Sequence, residues 1–191
     1  MSTVIPVPTS SARDLQKPAA RRLDGPVRGG NPAAGRAVVP DMALTGTYVP
    51  STQKWVRDQV EEYEASNGQR ATTLPGRDDP TPIVVITSVG KKSGNLRKNP
   101  VMKVERDGKY LAVASKGGAP DDPTWADNFR AHPEVDLQDG AEKKTYTVRE
   151  LPDGPERDDW WTFAVESWST YGEYQAKTDR LIPLFLLEPK E

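Results

Sequence analysis

Four cations and a hydroxyl stand together in Gly90-Lys91-Lys92-Ser93-Gly94-Asn95-Leu96-Arg97-Lys98-Asn99. Glycines let backbone amides approach a ligand, and Lys and Arg supply charge, so this stretch has the makings of an anion site. It lacks the Walker spacing, and no helix pattern follows it. A solvated lysine-rich hairpin tip has the same composition. A second stretch, Ala114-Ser115-Lys116-Gly117-Gly118, leaves an apolar run and leads to Pro123-Thr124-Trp125-Ala126-Asp127-Asn128. Small residues ending in paired glycines allow a flat ring to lie against backbone, with Trp125 as a wall. The same residues also describe a flexible connection and a core anchor. The third stretch holds Tyr171 and Tyr174, three apart, so on a helix both phenols point the same way. Such phenols can donate a proton or a hydrogen bond to a carbonyl while a hydride arrives at carbon. They can equally be packing residues, and Asp179-Arg180 beyond them reads as an ion pair or a helix cap.

Other catalytic plans lack parts. The chain has no cysteine and one histidine, so disulfides, thiolate nucleophiles and sulfur-ligated metals are excluded, and no metal site is expected. His132 precedes a proline and suits a helix C-terminus better than a Ser-His-Asp triad, and there is no Gly-x-Ser-x-Gly elbow. With 26 basic against 28 acidic residues, the balance gives no reason to expect a nucleic-acid partner. No apolar run approaches the roughly 20 residues of a membrane span.

These residues need elements to position them. Ser51 or Thr52 can cap a helix carrying Val56, Val60 and Tyr63 and stopping at Asn67-Gly68. Strands are expected over Ile83 to Val89, Pro100 to Glu105 and Lys109 to Ser115, the last two joined across Asp107-Gly108. A short helix around Trp125 and Phe129 leads to a second hairpin, Glu134 to Gln138 and Lys143 to Leu151, around Asp139-Gly140. Trp160, Ala164 and Trp168 mark an amphipathic helix, and Leu181 to Leu187 a strand that Pro183 assigns to an edge or bulge. About six strands in tight antiparallel turns with three or four helices fit a small barrel, not a doubly wound parallel sheet.

Residues 1–48 read differently. The first 50 residues hold seven prolines and five glycines, with six basic and three acidic side chains and no aromatic before Tyr48. Such a stretch cannot bury enough apolar surface to offset its own ordering and is expected to be a disordered, mildly basic tail. Globular composition begins at Leu44, just after Met42, a second candidate start.

Taken together, the three stretches resemble the deazaflavin-dependent nitroreductase family of actinobacteria, also described as coenzyme F420-dependent quinone reductases. The carrying motifs are Gly90-Lys91-Lys92-Ser93-Gly94 with Arg97 and Asn99-Pro100, then Ala114-Ser115-Lys116-Gly117-Gly118 with Pro123 and Trp125. Tyr171-x-x-Tyr174-Gln175 and Thr178-Asp179-Arg180-x-Ile182-Pro183 complete them, so the resemblance runs from Tyr48 to Pro189. It implies an α+β, mainly β fold over residues 49–191: a split β-barrel of the FMN-binding-protein-like type. It implies reduced coenzyme F420 as cofactor and a hydride passed to a small organic acceptor, a quinone, activated C=C or nitro compound. By resemblance, Lys91, Lys92, Ser93 and Arg97 hold the phosphate and glutamyl tail. Asn99, Ala114, Ser115, Lys116, Gly117 and Gly118 line the ring, with Trp125 and Asn128 beside it. Tyr171 and Tyr174 shape the acceptor pocket, and a tyrosine or Ser115 assists protonation. The chain departs from several relatives at Trp168, where they carry a further tyrosine. FMN in the same barrel, and a non-catalytic coenzyme carrier or sensor, stay open as alternatives. A cytoplasmic location is expected, with peripheral contact to the inner membrane face allowed, and the oligomeric state is not legible.

Overall fold

Tight turns with left-handed residues decide the topology. Asp107 and Gly108 both have positive φ, 55° and 76°, the pair of conformations that a two-residue hairpin turn of matching twist requires. They join β3 (Glu105–Arg106) to β4 (Lys109–Val113). Gly140, at φ 60°, opens the turn between β5 (Glu134–Asp139) and β6 (Glu142–Glu150). A third hairpin joins β1 (Ile83–Val89) to β2 (Leu96–Met102), and β7 (Leu184–Pro189) closes the chain. The computed structural model describes residues 43–76 and 80–190, so the expected tail lies, up to Met42, outside the described residues.

The strands form one antiparallel sheet in the order β2-β1-β5-β6-β7-β4-β3. It curls until its edges approach: Val104, just beyond β2, accepts the Leu111 N–H of β4 at 2.9 Å. The result is the split β-barrel expected from the sequence. Both faces are covered, which is why β1 reads as a continuous apolar run. Ile83 and Val85 face α1 (Lys54–Ala65), α3 (Pro155–Ser167) and α4 (Thr170–Ala176), whereas Val84 and Ile86 face α2 (Thr124–Ala131).

Four expectations are corrected. The helix start moves to Lys54 with Gln53 as its N-cap residue, and Ser51 Oγ accepts the Gln53 N–H instead of capping the helix. Strand β2 begins four residues earlier than its apolar pattern suggests. Beyond the buried Leu96, its first half, Arg97 to Asn99, is polar because the strand is an edge. Strand β7 is central, paired with both β4 and β6, and Pro183 lies just before it, offering its carbonyl to the Ala114 N–H at 2.9 Å. Proline therefore costs that strand no ladder bond. Trp168 also falls outside its helix: its extended backbone ends α3 and lets α4 begin as a separate element.

At the end of α1, Gly68 (φ 71°) donates to the Tyr63 carbonyl at 2.7 Å, and a Cβ placed there would lie 2.3 Å from Gly140 Cα. The helix end is thus packed backbone to backbone against the β5–β6 turn. Gly68→Ala is expected to destabilise the fold by about 2 kcal/mol or more, since neither backbone can yield cheaply. An unchanged urea midpoint would contradict that close approach.

Candidate functional site

Gly90 sets the shape of the cationic loop. Its N–H donates to Asn95 O and its carbonyl accepts the Gly94 N–H, both at 2.8 Å, and a Cβ there would meet Ser93 Oγ at 2.9 Å. The Lys91 N–H then donates to Asn128 Oδ1 at 2.9 Å, fastening the loop to α2. Beside it lies a cavity of about 590 Å³ lined by Lys91, Lys92, Ser93, Arg97, Asn99 and Asn128, closed on the far side by Val49, Ser51, Thr52 and Gln53. Arg97 donates one N–H to Val49 O at 3.2 Å. Neither Arg97 nor Lys92 has a carboxylate partner among the described residues. Lys91 lies 3.7 Å from Asp127, and Lys98 is committed to Glu64 at 2.5 Å under the Tyr48 ring. The uncompensated charge is therefore carried by Lys92 and Arg97.

A second cavity, of about 720 Å³, is mostly apolar. Pro100, Val101 and Met102 of β2, Val113, Ser115 to Gly117, Pro123 and Trp125 line one side. Trp168, Tyr171 and Tyr174 line another, and Trp55, Leu74, Pro75 and Gly76 complete it. Trp168 meets both tyrosine rings edge to face, at 4.8 and 5.7 Å between centroids. Burial, followed by the proximity of Tyr174, pushes the Tyr171 phenol well above its usual pKa, so it remains a protonated donor. The two cavities adjoin along the same elements. Asn99 borders one and Pro100 the other on β2, as do Thr124 and Trp125 on α2. One is cationic and the other mostly aromatic and apolar.

The turn at the aromatic cavity has an unusual backbone. Lys116, Gly117 and Gly118 take positive φ in succession, at 46°, 69° and 81°. One side chain holds it there. Arg180 donates to the carbonyls of Ala114 (3.1 Å), Ser115 (2.9 Å) and Ala119 (2.9 Å), and to Asp122 Oδ1 (2.8 Å). Asp122 also accepts from Arg130, which pairs bidentately with Glu150 of β6. The Asp179-Arg180 pair thus resolves into a clamp whose acceptors lie about 60 residues away.

Of the fourteen candidate residues, twelve line these two cavities, six in each. Ala114 and Gly118 line neither cavity. Ala114 is fully buried in the core, and a Cβ on Gly118 would meet Tyr174 O at 2.8 Å, so that glycine serves the packing of α4. Sequence reasoning missed Trp55, Met102, Arg180 and the segment from Val49 to Gln53. Trp55, at 47% exposed, carried one usable signal: a tryptophan outside the apolar stripe of its own helix.

The model of a family described as F420H(2)-dependent quinone reductase matches residues 55–189. An F420H(2)-dependent quinone reductase of Mycobacterium tuberculosis is 30% identical over 127 residues, covering 65% of this chain and 83% of that protein. A solved structure of an F420-H2 dependent reductase (FDR-A) is 53% identical, with a TM-score of 0.53, over 56% of this chain and 94% of its own. Another, described as a domain-swapped dimer, is 46% identical, with a TM-score of 0.55, over 72% of this chain and all of its own.

Arg180→Ala leaves three carbonyls and Asp122 without their donor. A loss of about 3 kcal/mol in stability is expected, with faster hydrogen exchange at Lys116 to Ala119, and Arg180→Lys should recover only part. Unchanged exchange in that turn would show that Arg180 does not hold it.

Proposed function

Since the chain belongs to the F420H(2)-dependent quinone reductase family, we propose that its two cavities act as one cleft and seat reduced coenzyme F420 with the ring at the aromatic end and the anionic tail at the cationic end. The family makes the chain an F420-dependent oxidoreductase and names this coenzyme in place of FMN. When bound, the coenzyme supplies a hydride.

The observation that carries the placement is the pair Lys92 and Arg97, charged and without carboxylates, at one end of a cleft whose other end is apolar. A ligand with a planar uncharged body and a phosphate and carboxylate tail satisfies both ends at once. Ser93 adds a hydroxyl at the cationic end. At the other end Gly117 leaves open space where a side chain would stand, and Trp125 and Val113 wall the slot. Asn99 lies where the two ends meet.

The acceptor class follows from what remains of the aromatic cavity. Tyr171 and Tyr174 from α4 and Ser115 from the facing turn put hydroxyl donors into an otherwise apolar space. A quinone, an activated C=C bond or a nitro group each gains an oxygen or carbanion charge as hydride arrives, and such donors stabilise it or deliver the proton. The apolar lining excludes water that would compete for those hydrogen bonds. Trp55 lies against the same space and packs on an apolar substituent.

Two results are expected with purified protein. Replacing both Lys92 and Arg97 by alanine raises the coenzyme Kd by about tenfold to a hundredfold and flattens its salt dependence, while kcat changes little. Coenzyme binding unaffected by that change would overturn the placement. Tyr171→Phe lowers kcat by about a hundredfold on acceptors that need a proton. Because burial raises the phenol's pKa, its donor form persists as pH rises and is lost only above that raised value. The wild-type rate should therefore show no Tyr171-dependent fall up to about pH 10. A decline near pH 8 that vanishes in Tyr171→Phe would contradict this role.

A further inference from the structure

The aromatic cavity draws two of its walls from one stretch of chain. Ser115, Lys116 and Gly117 supply the first from the turn after β4, and Pro123 and Trp125 supply the second at the start of α2. Residues 119–123 between them belong to no helix or strand, so no regular ladder of backbone hydrogen bonds fixes the gap. Yet Lys116 holds φ at 46°, in the left-handed region, where a residue with a Cβ stays only when its surroundings enforce it.

Asp122 stands in that stretch, and its two carboxylate oxygens divide between the walls. Oδ1 accepts from Arg180 at 2.8 Å, the guanidinium that also grips the Ala114, Ser115 and Ala119 carbonyls of the turn. Oδ2 accepts from Arg130 at 3.0 Å, a residue of α2 itself. The Asp122 carbonyl also accepts from Lys116 Nζ at 3.4 Å.

Arg130 ties the second wall to the sheet. Its other donors pair with both oxygens of Glu150 on β6, at 2.7 and 2.8 Å, and its guanidinium lies 5.4 Å from the centre of the Phe185 ring. Phe185 in turn meets Trp125 edge to face at 5.9 Å. Two guanidinium groups and two carboxylates thus form a neutral chain that runs Arg180, Asp122, Arg130, Glu150. Asp122 is the member that joins the turn to α2. No side chain of the four is more than 39% exposed, so salt screens the chain less than it would fully exposed pairs.

We propose that Asp122 is a positioning residue: by holding Arg180 with one oxygen and Arg130 with the other, it sets the separation of the Gly117 and Trp125 walls. Asp122 lines neither cavity, so it acts through the two arginines and not on the ligand. Its consequence for binding rests on the placement of the coenzyme ring at the aromatic end. A slot for a flat ring tolerates little change in width, because dispersion contact falls steeply once a gap opens.

Asp122→Asn is the informative change. It keeps the size of the side chain and one acceptor oxygen, removes the charge, and turns an amide donor toward a guanidinium group that has no acceptor to offer. Glu150→Gln is the control, since it removes one carboxylate charge from the same chain and leaves the walls joined through Asp122.

The test compares the full chain as wild type and as these two variants. Without ligand, amide hydrogen exchange at Lys116 to Ala119 should quicken about tenfold in Asp122→Asn and keep its wild-type rate in Glu150→Gln. The ring portion of coenzyme F420, lacking phosphate and glutamate, should bind Asp122→Asn about tenfold more weakly than wild type, and Glu150→Gln within about twofold of it. Intact coenzyme should show the same loss in Asp122→Asn with the wild-type salt dependence, because Lys92 and Arg97 are untouched. Unaltered exchange in the turn would overturn the proposal, as would ring affinity that is unchanged in Asp122→Asn or lowered equally in both variants. Wild-type protein that binds neither ligand would refute the coenzyme placement, while the exchange rates would still decide whether Asp122 holds the turn.

Discussion

Most cations among the described residues meet a carboxylate, and the cleft is organised around two that do not. Arg106, Arg130, Arg149 and Arg180 each meet a carboxylate, as do Lys98, Lys103, Lys109 and Lys190. Lys92 and Arg97 line one cavity and, among the described residues, do not. Charge held in this way raises the local affinity for anions and loses little on receiving one, because no existing pair has to be broken.

The rest of the architecture keeps that charge next to an apolar slot. An edge strand is the only element that can present a cationic half and an apolar half to one continuous space while staying paired on its other side. Strand β2 does so, from Arg97 to Met102. The alternation of its bonds makes Pro100 tolerable. Leu96 spends its N–H and carbonyl on the outer edge, so residues of the same parity, Pro100 among them, need no donor toward β1. Opposite β2, Arg180 holds three carbonyls of the turn after β4. A single planar group with several fixed donors suits a backbone whose carbonyls converge, a task that lysine cannot match.

Much of this was legible in the residues. The Asp107-Gly108 and Asp139-Gly140 turns, the apolar run of β1 and the tyrosine pair of α4 all stand where local pattern places them, because turn conformation and alternation are local properties. What escaped the sequence depends on distant partners. Leu96 to Asn99 read as loop because an edge strand lining a cleft needs no apolar alternation. Leu184 to Leu187 gave no sign of being central. Arg180 offered two ordinary roles, and only the fold brings the carbonyls of Ala114, Ser115 and Ala119 to it. Ala114 and Gly118 shared a motif with ring-lining neighbours, yet their small size serves the core and α4.

The central claim, that one ligand spans an aromatic end and a cationic end, is tested most directly by titrating the protein with intact coenzyme F420 and with its ring portion lacking phosphate and glutamate, each at low and high salt. The intact coenzyme should bind more tightly and weaken steeply as salt screens Lys92 and Arg97, while the bare ring binds weakly and with little salt dependence. Equal affinities, or the same salt dependence for both, would contradict the account.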